Sequence, residues 1–429
     1  MSPNGAVDAA RYFLDPARAD RSHSAMVRGL VGSSILRIAA EVRALRAQGR
    51  QICNLTVGDF DPAQFLPPPA LLEGVVRAMH EGHTNYPPPD GIPELRAAIR
   101  AHYEQELGLA YPTESILVAA GARPILFGTY GVVCDPGDTV VFPVPSWNNE
   151  HYVQAFGARA IALPVRAEDN FFPTAEQLRP HLGDARLLVI NSPQNPSGTV
   201  VAADQLAAIA RLVVDENRRR ERNGDKALFL LYDQVYWTLT YGGARHVTPV
   251  GLVPECAPYT VLLDAISKSF AATGLRVGWA AGAPPLIARM RDYLGHVGAW
   301  APKPEQMATA RFLADPGRPA WQDGFRRELK ERLDIAYAGV AAMHRDGFPV
   351  DAIAPQGAIY LSVRFDLIGK RFATNDEIRR HVLEAAAVAM VPFQAFGLEG
   401  DTGWFRWSVG AVAKAELEAM FPRLRAALA

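Results

Sequence analysis

Apolar positions along the chain change period several times, and those changes divide it into elements. Ser34, Ile35, Ile38, Ala39, Val42 and Leu45 fall on one face of a 3.6-residue repeat, which predicts an amphipathic helix over roughly 33–48. Beyond it, short apolar runs at 115–119, 139–142, 159–163, 187–191, 228–233, 261–265 and 277–281 alternate with helical stretches. That rhythm predicts an α/β fold: a mostly parallel seven-stranded sheet with helices on both faces. From about residue 315 the pattern becomes a long helix, strand-like runs at 359–363, 388–391 and 405–409, and a helix near 375–387. The expected organisation is a large domain over 61–310 and a smaller α+β domain over 311–429, with the N-terminal segment 1–60 packing against the smaller one. Ligands of open α/β sheets collect at the carboxyl ends of the strands. The least ordinary residues fall there: Gly121, the segment 191–198, Asp233 and Lys268.

Composition narrows the partners. Asp and Glu number 45 against 44 Lys and Arg, so no global field draws the chain to nucleic acid or an anionic membrane. No apolar run approaches the roughly 20 residues of a spanning helix. The first residues carry no basic segment followed by an apolar stretch, so the cytoplasm is the expected compartment. Cys53, Cys134 and Cys256 are too scattered for a disulfide framework or zinc site. His80 and His83, in His-Glu-Gly-His, lack the i, i+4 spacing of a metal-binding helix and read as a surface loop, so no metal is expected. The run Arg218-Arg219-Arg220-Glu221-Arg222 has acids interspersed around it and Gly224 after it, and reads as a solvated helix end.

Three segments carry chemistry. In Ser267-Lys268-Ser269-Phe270 the lysine follows a buried run, where desolvation lowers its pKa and frees the amine to attack an aldehyde. Arg276, eight residues on, has the planar fork that grips a phosphate. Asp233 ends the apolar run before it and requires a cationic partner or a helix-capping role. A pyridinium would serve: at an effective dielectric near 20, a pair about 4 Å apart gains roughly 4 kcal/mol. In Asn191-Ser192-Pro193-Gln194-Asn195-Pro196-Ser197-Gly198, two prolines and a glycine make a rigid turn, from which the Asn195 amide can reach a phenolic oxygen.

Together these segments resemble the class I/II aminotransferases, fold type I enzymes that use pyridoxal phosphate (PLP), over roughly 52–409. The resemblance implies that Lys268 holds PLP as a Schiff base, that Asp233 faces the pyridine nitrogen, and that Asn195 and Tyr236 lie at O3′. It implies phosphate binding by Arg276, Ser267 and the Gly121-Ala122-Arg123 turn, with Trp147 stacked on the ring. It also implies a homodimer with shared active sites, because Tyr86 matches a tyrosine that reaches the other subunit's phosphate. Gly58 matches a glycine lining the substrate site, and Arg406 the arginine that binds the substrate α-carboxylate, although an arginine on an edge strand is more often solvated. One departure is Ala265, where many relatives carry a phosphate-binding serine or threonine; Arg276, Ser267, Ser269 or the loop after Ala120 must substitute.

The implied activity is transfer of an amino group from an L-amino acid to a 2-oxo acid, with Lys268 carrying the proton. A PLP-dependent lyase, cyclase or oxidase is the alternative, since the same residues stabilise the same carbanion. A PLP-binding DNA regulator is disfavoured, because the roughly 30 residues before the first clear helix are too few for a helix-turn-helix unit. For the substrate side chain, Arg28, Arg123, His296 and Lys303 are candidate cations, whereas Trp300 and Tyr360 suit an apolar pocket.

Overall fold

The structure is a computed structural model that describes residues 7–30, 32 and 34–429. Its largest sheet has seven strands in the spatial order Ile116–Ala119, Gly278–Ala281, Thr260–Ala265, Phe229–Asp233, Ala185–Asn191, Thr139–Val144 and Arg159–Pro164. Five pair in parallel, and Gly278–Ala281 runs antiparallel to both of its neighbours. Strands Thr139–Val144 and Thr260–Ala265 are buried at every residue, which explains their continuous rather than alternating apolar runs. Arg159–Pro164, at the sheet's edge, is partly exposed throughout.

Helices pack on both faces of the sheet, and helix Lys303–Leu313, which contains residue 311, lies on Pro69–His80 and Pro93–Leu107. Gln306 Oε1 anchors that contact by accepting from the Ile92 amide at 2.9 Å. The next helix, Arg318–Arg345, packs on a second, antiparallel sheet ordered Val391–Pro392, Trp404–Ser408, Tyr360–Phe365, Val350–Ala352. The N-terminal part joins this region through a parallel pair between Cys53–Asn54 and Val388–Ala389. Helix Ser34–Ala47 matches the expected one, and its Val42 packs with Ile52, Leu383 and Ala389. Position 33 lies outside the described residues.

Three expectations change. The run 388–391 is not one strand: Val388–Ala389 pairs with Cys53–Asn54, whereas Val391–Pro392 pairs with Trp404–Ser408 in the other sheet. Trp404–Ser408 is not an edge strand, because it is flanked on both sides. Arg220 is not solvated: it is 4% exposed, and its guanidinium donates to the carbonyls of Leu182, Ala185 and Lys226 and to Glu216. A guanidinium with five donors can satisfy several carbonyls at once, which makes its burial tolerable. The other arginines of that run follow the expected pattern at a helix that ends on Gly224, whose φ is +74°. His80 ends helix Pro69–His80 and His83 pairs with Glu81 at 3.5 Å. Among the described residues there is no metal-ligating cluster and no helix long and apolar enough to cross a membrane.

Candidate active site

The carboxyl ends of strands Phe229–Asp233 and Thr260–Ala265 set the site's two reactive groups. Lys268 lies in the short helical turn Ile266–Ser269 that follows the second strand. Its Nζ donates to the Gly58 carbonyl at 2.6 Å and lies 5.5 Å from the centroid of Phe60 and 6.0 Å from that of Tyr236. Burial pulls this amine down to about 8, with Arg406 and Arg276 adding to the effect and Asp59 opposing it. Asp233 is buried beside the same Tyr236 and accepts from the Val235 amide at 3.1 Å. Burial pushes its carboxyl up to about 7, and that amide is the one contact opposing the shift. Among the described residues no cation faces it, so it is a carboxyl group suited to a cation from a ligand.

The turn expected around Asn195 is tied to Asp233 from both sides. Asn191 Nδ2 and the Ser192 amide both donate to the Asp233 carbonyl, at 2.9 and 3.0 Å, and Asn191 Oδ1 accepts from the Asn195 amide at 2.8 Å. Asn195 Oδ1 in turn accepts from Arg406 Nη1 at 3.0 Å, while Arg406 Nη2 donates to the Thr56 carbonyl at 2.6 Å. Arg406 is 1% exposed and sandwiched between the rings of Tyr360 and Phe396, 4.7 and 4.8 Å from their centroids. Its Nε is buried without a partner. Of five N–H donors, these two bonds use two, so the fork retains the donors a carboxylate needs. Gly58 is required here, since a Cβ would meet Tyr360 Oη at 2.9 Å and Arg406 Nη1 at 3.4 Å. Tyr236 and Tyr360 share a hydrogen bond of 2.7 Å between their hydroxyls.

At the other end of the cleft, Gly121 precedes helix Ala122–Val133 with φ +88°. A Cβ there would lie 2.3 Å from Arg276 Nη2, so only glycine lets this guanidinium lie along the backbone. Arg276 donates to the carbonyls of Ala120, at 3.0 Å, and Thr273, at 2.7 Å. An arginine fork beside a helix N-terminus is a site for an anionic group. Ala265 is fully buried, and Ser269 Oγ donates to its carbonyl at 3.1 Å, so Ser269 is committed away from the cleft. Ser267 is 9% exposed. Arg123, on the exposed side, has its guanidinium 5.8 Å from the Trp147 ring centroid.

Other candidates fall outside this cluster. Tyr86 is 81% exposed and touches the edge of Trp300. Lys303 is engaged by Asn85 Oδ1 at 2.7 Å, and Arg28 and His296 are exposed. Conversely, Phe60, Phe396 and Thr56 belong to the site without any local signal in the sequence. Tyr360, expected only as an apolar wall, uses both its ring and its hydroxyl.

The Asp233 environment predicts a pH effect on the ligand-free protein. Its folded pKa is raised, so between the ordinary aspartate value and about 7 the folded form holds a proton that the unfolded form has lost. Stability is thus lost as pH rises through that window, by up to roughly 4 kcal/mol for a carboxyl that binds its proton about a thousandfold more tightly when folded. Asp233→Asn is expected to be relieved of this loss. Thermal melts at pH about 5 and about 7 should therefore show the variant gaining on the wild type as pH rises; parallel curves would contradict the assignment.

A buried, easily deprotonated amine, a buried carboxyl group and a guanidinium fork with donors to spare converge where a parallel α/β sheet binds its ligands, which is the arrangement of a small-molecule enzyme. The chain belongs to the class I and II aminotransferase family, whose sequence profile matches residues 50–424. It is 32% identical to the aspartate aminotransferase of Geobacillus stearothermophilus, over 86% of this chain and 91% of that protein. It is also 32% identical to the aspartate aminotransferase of Rhizobium meliloti strain 1021, over 92% and 93%. A crystal structure of the Rhizobium meliloti enzyme superposes with a TM-score of 0.85 at 30% identity, covering 95% of this chain and 98% of that one. The aspartate aminotransferase of Thermus thermophilus with maleate gives 0.85 at 28% identity, over 95% and 100%. The expected family and fold are thereby established, and the protein is an aminotransferase.

Proposed function

We propose that this aminotransferase binds PLP in the cleft and moves the amino group of an L-amino acid to a 2-oxo acid, with Lys268 as the reacting amine. The observation that carries this reading is that Lys268 Nζ, held by the Gly58 carbonyl, and a buried Asp233 with no cationic partner among the described residues both border Tyr236. The donor set fits the cofactor: an amine for an aldehyde, a carboxylate for a pyridinium, and Arg276 with the Gly121–Ala122 backbone for a phosphate. Bound PLP supplies an aldehyde that condenses with amines and a protonated ring that accepts the electron pair of a broken bond at Cα. Lys268 would hold it, Asp233 would face its ring nitrogen, Asn195 and Tyr236 its phenolic oxygen and Trp147 its ring. Arg276, Ser267, Gly121, Ala122 and Arg123 would surround the phosphate.

The protein's own groups then divide the work. Arg406, held by Asn195 and Thr56, binds the substrate α-carboxylate through its remaining N–H donors and fixes the orientation of Cα. Lys268 Nζ takes the proton from Cα; a pKa of about 8 keeps part of the amine neutral near pH 7. Tyr360 donates to or accepts from Tyr236, and so positions that phenol. Gly58 leaves room for the substrate beside Lys268 and Arg406.

The same reading takes 61–310 as the cofactor-binding unit and 311–429, with the segment 1–60, as the smaller unit that provides Arg406. It also makes the enzyme a homodimer. Tyr86 is 81% exposed, and Leu66, Val76, Met79 and Val297 are each more than half exposed, an apolar set that a second copy would cover while Tyr86 reaches the neighbouring phosphate. Three buried, unpaired cysteines suit a cytoplasmic setting.

The deciding assay supplies PLP, a panel of L-amino acids and a panel of 2-oxo acids, and identifies products by mass spectrometry. The expected result is one keto product for each amino product, dependent on both substrates. Keto acid or ammonia formed steadily without an acceptor would replace this reading with a lyase or oxidase.

A further inference from the structure

Behind the sheet, on the face away from the cleft, lies a buried polar network that the reaction described above does not use. Along strand Thr260–Ala265, Leu263 and Ala265 pack in the same cluster as Leu231, Val235 and Tyr236 on the cleft side. Asp264 faces the other way, is 1% exposed, and stands opposite Trp279 across the sheet. Its Oδ1 accepts from the Ala265 amide at 2.7 Å, and its Oδ2 accepts from Trp237 Nε1 at 2.7 Å. Burial pushes its carboxyl well above the usual range, with the charge of Asp233 adding to the effect, and the groups that oppose the shift, the Ala265 amide, Trp237 and Tyr103, are all neutral donors. Tyr103 Oη accepts from Trp279 Nε1 at 3.0 Å and from Gln234 Nε2 at 3.3 Å, and Gln234 Oε1 meets His246 Nε2 at 3.3 Å. The ring of His102 lies 5.5 Å from that of Trp237.

A buried acid without a cation is costly, and an apolar side chain would fill the same place at less expense. What the acid adds is geometry. One of its oxygens holds the backbone amide three residues before Lys268. The other holds the indole one residue after Tyr236 and four after Asp233. Beyond the parallel pairing of strands Phe229–Asp233 and Thr260–Ala265, which ends with the bond from the Gln234 amide to the Leu263 carbonyl, the two segments that carry the reacting groups are thus joined by the side chain of Asp264.

We propose that Asp264 is a positioning residue for amino transfer: acting through Trp237 and the Ala265 amide, it fixes the separation between Lys268 and the Asp233–Tyr236 turn. The inference rests on the assignment of Lys268 and Asp233 to the cofactor. Displacements of about 1 Å at a reacting group are enough to reduce rates about a hundredfold, so loosening a tether one layer behind the site is expected to reach the chemistry.

The test compares the PLP-loaded wild type with Asp264→Asn, Trp237→Phe and the double variant. Asparagine has one acceptor for two donors, so it must point its amide at the indole or at the Ala265 N–H; Trp237→Phe removes one donor and with it the conflict. Each single variant is expected to lower kcat about tenfold or more, with KM for the amino donor changed less than about threefold. Each is also expected to move the pH midpoint at which the visible absorption of the Lys268–cofactor bond titrates. The double variant should be no worse than Asp264→Asn alone, and the melting temperatures of the cofactor-free proteins should show the same non-additivity. Should Asp264→Asn fail to fold, Trp237→Phe, at a half-buried side chain, gives the same readouts. The proposal is overturned if the variants melt lower but keep wild-type kcat and titration midpoint, or if the two losses in kcat multiply. A wild type that stays colourless with PLP would overturn the cofactor assignment as well.

Discussion

Replacing Lys268 by alanine is expected to reduce kcat by at least about 10⁴-fold, the upper range for one proton-transfer group. Two functions would disappear together, because on the proposed assignment the same Nζ bonds the cofactor and carries the proton from Cα. No neighbour can substitute in both. The groups nearest to it are the Gly58 carbonyl, the rings of Phe60 and Tyr236, the guanidinium groups of Arg406 and Arg276 and the Asp59 carboxyl, and none of these carries an amine that condenses with an aldehyde. Added small alkylamines should restore part of the rate, since the vacated space lies beside the substrate carbon. Borohydride trapping should no longer label the chain at this position. The loss will not reflect unfolding. The folded amine titrates at about 8 against an ordinary 10.5, so stability is gained as pH rises through that interval and is depressed below it. At pH about 7 the depression is at most roughly 3 kcal/mol, and the cofactor-free alanine variant should escape it and melt no lower than the wild type. A variant that kept more than about one hundredth of wild-type kcat, a loss smaller than the least expected of a proton-transfer group, would remove Lys268 from the centre of the mechanism.

Arg406→Lys is expected to lower kcat/KM for amino acids by about 10²- to 10³-fold, as truncating one partner of a buried, hydrogen-bonded charge pair does. Lysine offers a point charge where a planar fork is needed to face a carboxylate and, at the same time, to hold Asn195 Oδ1 and the Thr56 carbonyl. The rings of Tyr360 and Phe396 enclose the guanidinium, so a misplaced charge finds little water. Two consequences separate binding from packing. Amines lacking the α-carboxylate, poor substrates of the wild type, should lose much less than amino acids do. The KM for both amino and oxo substrates should rise, since both present the same carboxylate to this arginine. If substrates with and without the carboxylate lost activity equally, Arg406 would be holding the loop of Asn195 rather than the substrate.

The two predictions draw on residues that were legible in the sequence to different degrees. Lys268, Asp233 and the 191–198 turn stand out because their signals are local. Each is a polar group or rigid turn placed immediately after an apolar run, and the strand that precedes it determines where it points. The seven-stranded sheet was readable for the same reason, since strands buried on both faces leave uninterrupted apolar segments. Arg406 could be matched by its motif but not by its environment. Its strand looked like an edge and is flanked on both sides, because the run 388–391 divides between two sheets. Likewise Arg220, within a charged helix end, is buried by carbonyls from another segment of the chain.

By itself, then, the order of apolar and polar residues determined the elements, the layering of helices on a parallel sheet, and the chemical types gathered at its carboxyl edge. Only tertiary structure decided the enclosure of Arg406 by Tyr360 and Phe396, the seat of Lys268 on Gly58 and Phe60, and the link from Asp264 to Trp237. Element formation depends on neighbours a few residues apart, which periodicity reports. The contacts that tune the site span 350 residues between Arg406 and Thr56 and 210 between Lys268 and Gly58, and they arise only when the separately formed layers close against one another.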